Sequence, residues 1–473
     1  MTEIPSSAEA PEGLRRGAVS ASHLVFFVVA AAAPLTVLTG LTPLQFAIGG
    51  EAVPAGFLIA GAVYLIFAVG FTSMSRHVRN TGAFFAYIAH GLGNRIGAGS
   101  AMVAYAAYTL GHIGFCSVAG LFASVAIKTF FGFEVYWAVS AFVIGLLVAA
   151  VSYLRVEAGA RLLAIMLLAE LGILVVLMGA ILIQGVPEGY SLSSFDPASW
   201  PMAAIGPLLV VTFVVFIGFE QTAVYSEEVA DPARTVPKAT YAAVLLLAVI
   251  YTAFSWLILM AAGPSTLAQK LAVDPQSFVF NINTAYVGAT MTDFMLVLIV
   301  TSFIAGVLAL HNAASRYLYA LGRSRILPSL LSATNPSTGS PGNAVVTQAV
   351  IVLVSITGFG LSPLDPYTQV VIWTNTPTLV GVLFLQLLTS VAVIAYFRRD
   401  NRGERTWNRL VAPAISVVLL AAVLFFVCTQ LGILTYLGPL GNFLINAPLI
   451  LAFIVGVLRA PTGSPEALLN DEL

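Results

Sequence analysis

Phe213 to Lys238 reads FVVFIGFEQTAVYSEEVADPARTVPK. It begins as a membrane-spanning apolar segment, and the pattern stops at Gly218-Phe219-Glu220, where a carboxyl group stands in place of hydrocarbon. The apolar pattern resumes weakly through Ala223, Val224 and Tyr225. It then ends in a charged turn holding Glu227, Glu228, Asp231, Arg234 and Lys238. A membrane segment broken by glycine and an acid lines a cavity, because its freed backbone groups need partners other than lipid.

The rest of the chain fits a membrane setting. Of its 473 residues 59% are hydrophobic and only 9% charged, against about 25% charged in soluble domains. So few charges cannot cover a water-soluble fold of this length, and the class expected is an all-α polytopic membrane protein. A net charge of −1 gives no reason to expect nucleic acid as a partner. Cys116 and Cys428 both lie in apolar runs and offer neither a disulfide framework nor metal-ligand spacing. No nucleotide loop, HExxH, CxxC or serine elbow is present, so neither an enzyme, a cofactor nor a metal is called for.

Runs of roughly 20 apolar residues can cross the hydrocarbon. Twelve are counted, at 19–48, 53–73, 95–127, 135–154, 161–184, 203–225, 238–262, 287–321, 344–360, 368–396, 410–430 and 437–458. With the N-terminus inside, eighteen of the twenty basic residues fall on the cytosolic side, leaving only Lys128 and Lys270 outside. Both termini are therefore expected in the cytosol. Residues 1–18 read as a disordered tail, 19–396 as the transport core and 397–409 as a basic loop. Residues 410–459 would be two peripheral helices and 460–473 a second tail.

The first span is also interrupted, at Ala32-Ala33-Pro34-Leu35-Thr36, five spans before the break at Gly218. Corresponding interruptions an odd number of spans apart point to an inverted repeat with its site at the interface. The half-helix after Pro34 would aim N–H groups and a positive dipole end at a carboxylate. The half-helix ending near Ile217 would offer carbonyls to an ammonium group. Taken alone, Pro34 reads better as a plain helix kink, and its pairing with Gly218 moves the functional reading ahead.

Three further groups stand out. Glu220 either bonds backbone donors freed at the break or touches substrate. Glu170 is the tenth residue of its span from Arg161, roughly 14 Å deep. It is either a proton carrier for coupling or a hydrogen-bonded acid that only packs helices. His112 lies near Tyr105 and Tyr108 in the third span, and His311-Asn312 in the eighth. These histidines read as core residues, while Trp373 and Asn375 are weak candidates to face a cavity.

Four ordered motifs resemble the amino acid–polyamine–organocation (APC) superfamily of permeases. Gly218-Phe219-Glu220, Glu227-Glu228 and Asp231-Pro232-x-Arg234-x-x-Pro237 are similar to its sixth-helix pattern. Gly82-Ala83-Phe84-Phe85-Ala86-Tyr87 with Gly91-Leu92-Gly93 resembles its segment between the second and third helices. The turn Val156 to Arg161 and the run from Arg316 through Arg323 to Leu327-Pro328 resemble two more. The likeness is clearest over residues 19–345. It implies twelve transmembrane helices with a five-plus-five, leucine-transporter-type inverted repeat. The first and sixth helices would be broken around the substrate, and the third, eighth and tenth would supply walls and gates. By this resemblance Phe219 matches an aromatic gate, and Glu170 falls near a fifth-helix position often occupied by lysine. A glutamate there departs from the pattern. Ala32-Ala33-Pro34-Leu35 in place of a glycine-rich break, and Arg323-Ser324-Arg325 near the end of the eighth helix, are further departures.

The expectation is a secondary transporter of a small amino acid in a plasma membrane (a bacterial inner membrane), proton-coupled and working by alternating access. Ala32, Ala33, Pro34, Leu35 and Thr36 with Tyr108 and Ile217, Gly218, Phe219 and Glu220 would bind substrate, and Glu170 would carry the proton. The alternatives are an amine or polyamine carrier or exchanger of the same fold, and a transport-silent partner or sensor. Lipid is an expected partner, and the oligomeric state is left open.

Overall fold

The computed structural model describes residues 24–25, 28–29, 32–78, 84–154, 160–200, 205–224, 229, 231–335 and 340–462. Glu227 and Glu228, most of the Val156–Arg161 turn and the expected 1–18 tail lie outside them, as does nearly all of 460–473. Among the described residues, ten helical runs are long and apolar enough to cross a membrane, and a shorter apolar helix covers Ile205–Phe216. The chain is a multi-pass helical membrane protein.

The first run, Thr36–Ser75, takes in two of the expected spans. It comprises a π-helical turn Thr36–Leu41, α1 (Thr42–Gly49), a 3-10 turn and α2 (Val53–Ser75). Gly50 separates the two helices with φ +56°, a conformation glycine adopts without steric cost. The remaining principal helices are α3 (Asn94–Phe131), α4 (Trp137–Leu154), α5 (Ala160–Gln184), α6 (Ile205–Phe213) and α7 (Pro232–Ala262). Then come α8 (Ala289–Arg323), α9 (Gly342–Gly360), α10 (Val371–Arg399), α11 (Ala412–Thr429) and α12 (Pro439–Leu458).

At 1.5 Å per residue, the 38-residue α3 is nearly twice as long as a hydrocarbon core of about 30 Å is thick. It is the central post, packing against α4, α8, α10 and α12. Small residues allow the closest approaches, as usual where lipid supplies no hydrophobic drive between helices. A Cβ on Gly456 of α12 would lie 2.4 Å from the Ala98 carbonyl oxygen, and one on Gly114 would lie 2.3 Å from Thr374 Oγ1 of α10. The α2 helix packs along α7, and α11 rests on α10, α2 and α6.

Polar side chains tie the helices where the ladder is irregular. Gln45 of α1 donates to the Val211 carbonyl of α6 at 2.6 Å, and Tyr367 donates to the Gly40 carbonyl in the π-helical turn at 2.6 Å. Tyr367 itself sits in a turn whose N–H groups are capped by Asp365. A buried carbonyl left unpaired would cost about 1–3 kcal/mol, so these contacts hold the irregular backbone in place.

Candidate functional site

The backbone departs from helical geometry at two places that the apolar pattern marks. At the first, Ala33 takes φ +45° between helical residues. The π-helical turn that follows is closed by its own hydroxyls, with Thr39 donating to the Leu35 carbonyl at 2.6 Å and Thr42 to that of Val37 at 3.0 Å. Tyr251 of α7 donates to the Ala32 carbonyl at 3.2 Å. Thr36 Oγ1 is buried and has no partner among the described residues.

At the second place, α6 tightens into a 3-10 turn at Val214–Phe216 and then an irregular turn from Ile217 to Glu220. Gly218 has φ +120°, and an L side chain there would be strained. The Glu220 carboxyl spans the turn, one oxygen accepting the Gly218 N–H at 2.9 Å and the other the Tyr108 hydroxyl of α3. Glu220 is thus held by the break it belongs to. Tyr108 also stacks on Tyr317 of α8, with ring centroids 5.5 Å apart.

One cavity of about 40 Å³ joins both places. Its walls are Ala32 and Val37 from the first, Val214, Val215, Ile217 and Gly218 from the second, and Tyr108, Gly111 and Phe115 of α3. Ala309 and Leu310 of α8 and Asn375 and Thr378 of α10 complete them. A space this size holds a few waters at most, so a larger solute enters only when the walls move. The lining is apolar apart from Tyr108, Asn375 and Thr378.

Four of the ten expected binding residues, Ala32, Tyr108, Ile217 and Gly218, line this cavity. Ala33, Pro34, Leu35, Thr36, Phe219 and Glu220 are buried behind it. The Phe219 ring packs on Tyr64 and Phe67, with centroids 5.1 and 6.0 Å away. Asn375 reaches the cavity, whereas Trp373 donates its indole N–H to the Thr435 carbonyl at 3.0 Å instead.

Glu170 is 4% exposed and lies away from the cavity walls. Its carboxyl accepts the Ser302 hydroxyl at 2.8 Å, across the α5–α8 contact. The two histidines meet: His112 and His311 stand edge to face with centroids 5.2 Å apart, and Gln348 of α9 bonds His112 Nδ1 at 3.2 Å. No group of three or more metal-ligating side chains occurs among the described residues.

Several wall residues escaped the sequence reading. Gly111 offered a signal, since Gly114 three residues on lies on the same helix face and small residues there let helices approach each other. A Cβ on Gly111 would indeed lie 3.1 Å from Thr378 Cγ2 of α10.

Comparison with known proteins fits this geometry. The chain is 31% identical over 193 residues to an uncharacterized transporter of Legionella pneumophila, covering 40% of each chain. It is 27% identical over 298 residues to the branched-chain amino acid permease BcaP of Bacillus subtilis, covering 62% of this chain and 59% of that one. To the chloroplastic cationic amino acid transporter 6 of Arabidopsis thaliana it is 23% identical over 290 residues, 58% and 45% of the two chains. The matches thus span roughly two-fifths to three-fifths of these relatives. The model of one family, described as amino acid permease, extends over residues 20–458 and so takes in both irregular turns and every wall of the cavity: the chain belongs to the amino acid permease family.

Proposed function

We propose that the protein is a secondary transporter that carries a small apolar amino acid by alternating access, coupled to protons. The observation that carries this reading is the shared cavity between Ala32–Val37 and Val214–Gly218. On this reading the core is a five-plus-five inverted repeat of a twelve-helix bundle, and its first and sixth helices are broken at Ala33 and Gly218. Both termini and the basic loop 397–409 face the cytosol. The backbone after Ala33 and the buried Thr36 hydroxyl serve the substrate carboxylate, and the carbonyls near Ile217 and Gly218 serve its ammonium group. Phe219 closes over the substrate by leaving the Tyr64 and Phe67 rings.

The side-chain class follows from the walls. Val37, Phe115, Val214, Val215 and Leu310 favour an apolar side chain, as the name of the branched-chain relative also suggests. A polyamine would need carboxylates in the cavity, but Glu220 is occupied by Tyr108 and Gly218, and Glu170 lies elsewhere. An amine carrier or a transport-silent partner is therefore the weaker reading.

Glu170 is assigned the proton. It is buried across a helix contact, and an ionisable group inside the membrane is a functional candidate by default. Proteoliposomes with an imposed pH gradient test the whole reading. Uptake of leucine, valine or alanine should rise above equilibrium with the gradient and stop when it collapses. Glu170→Gln should keep exchange of internal for external substrate yet lose gradient-driven accumulation. Accumulation at the wild-type level by that variant would remove Glu170 from the mechanism. An absence of flux for every amino acid would remove the transporter reading itself.

A further inference from the structure

A second site lies at the corner of α2, α10 and α11, and it is independent of the substrate path. Residues 398–409 read RRDNRGERTWNR, with five arginines against Asp400 and Glu404. The loop folds over the end of α2 to form a pocket of about 440 Å³, lined by Arg76, Arg402, Glu404, Arg405, Trp407 and Asn408. Its charges are only partly matched. Arg76 holds Glu404 through two bonds, at 2.8 and 2.9 Å, and Asn408 adds a third at 3.2 Å. Arg402 stacks over Tyr396, 4.8 Å from the ring centroid, with the Asp400 carboxylate 3.7 Å away. Arg405 is exposed and makes no ion pair among the described residues. Arg409, one turn further on, has its Nε buried without a partner among the described residues.

From this arrangement we infer that the pocket binds the phosphate headgroup of an acidic phospholipid. Arginine guanidinium groups match phosphate oxygens in pairs and are the usual partners of such groups. A free anion would need only the arginines. What favours a lipid is the surface that leads away from the pocket. Trp407 is 51% exposed at its rim, and Val411, Ile415 and Val418 continue from it at helical spacing, 37%, 37% and 67% exposed. A polar pocket at the foot of an exposed apolar stripe fits a molecule with a charged head and acyl chains. Indole rings settle at that boundary between headgroups and hydrocarbon.

The test uses the full-length purified protein in detergent, with thermal unfolding followed during titration. The probes are dioctanoyl phosphatidylglycerol, dioctanoyl phosphatidylcholine and inorganic phosphate. Phosphatidylglycerol should raise the unfolding temperature saturably, while the other two leave it nearly unchanged. Arg405→Gln should weaken phosphatidylglycerol about fivefold, and Arg402→Gln with Arg405→Gln about thirtyfold, as expected for loss of one and two arginines near an anionic lipid. Should the double variant fail to fold, Arg405→Gln carries the test alone. Equal stabilisation by phosphatidylcholine would overturn the headgroup assignment, and equal stabilisation by inorganic phosphate would mark a free-anion site instead. Wild-type affinity in Arg405→Gln would place any lipid elsewhere.

Discussion

Ala33 and Gly218 hold the two left-handed backbone conformations beside the cavity, on which the proposed site depends. Ala33 is an alanine at φ +45°, which costs roughly 1–2 kcal/mol relative to a right-handed conformation. Ala33→Gly should relieve part of that strain and raise stability by roughly 1 kcal/mol in thermal unfolding. Gly218→Ala, at φ +120°, should act in the opposite sense and reduce uptake. Tyr108→Phe removes the hydroxyl that Glu220 accepts. It should cost about 1–3 kcal/mol, the usual penalty for a buried polar atom left unpaired. Pro34→Gly probes the pocket from the other side, and the relative uptake rates of leucine, valine and alanine should change in it. Glu220 was legible in the sequence as a carboxyl out of place, because an acid interrupting an apolar run is visible locally. The bond between them was not: Tyr108 lies 112 positions away, and only the folded chain brings the two together.

Among the elements, α3 shows what packing adds to a pattern of apolar runs. Its length could be read from the sequence, but not its place at the centre of the bundle. Within residues 410–459, α12 lies along α3. Gly456 is the point of closest approach. Gly456→Leu should force the two helices apart, lowering the unfolding temperature with little change in the substrate preference of the remaining folded protein. Likewise the isolated histidines of the sequence, 199 positions apart (311 − 112), form one pair across α3 and α8. Among the described residues ten helical runs are long and apolar enough to cross a membrane, the first taking in two expected spans and the sixth present only as the shorter Ile205–Phe216. Such runs announce themselves by length and hydropathy alone. Contacts between spans carry no comparable local signal.

For the molecule as a whole, one ion pair fastens the loop after α10 to the end of α2. Burial would raise the Glu404 pKa. Hydrogen bonds from Asn408 and Arg76, the charge of Arg76 and a bond from His77 outweigh it and hold the carboxyl below its usual value. A depressed carboxylate stabilises the fold above its unfolded pKa of about 4.3 and loses that contribution as pH falls through the folded value. Glu404→Gln should therefore unfold more easily than wild type at pH 7, by about 1 kcal/mol, and the difference should vanish in acid below that range. In the proposed mechanism two separated irregular turns, at Ala33 and at Gly218, hold one substrate between them. Cryo-electron microscopy of the protein saturated with its best-transported amino acid tests this most directly. Ligand density should contact both Ala32–Thr36 and Ile217–Gly218. Density seated elsewhere, or touching only one of the two turns, would contradict it.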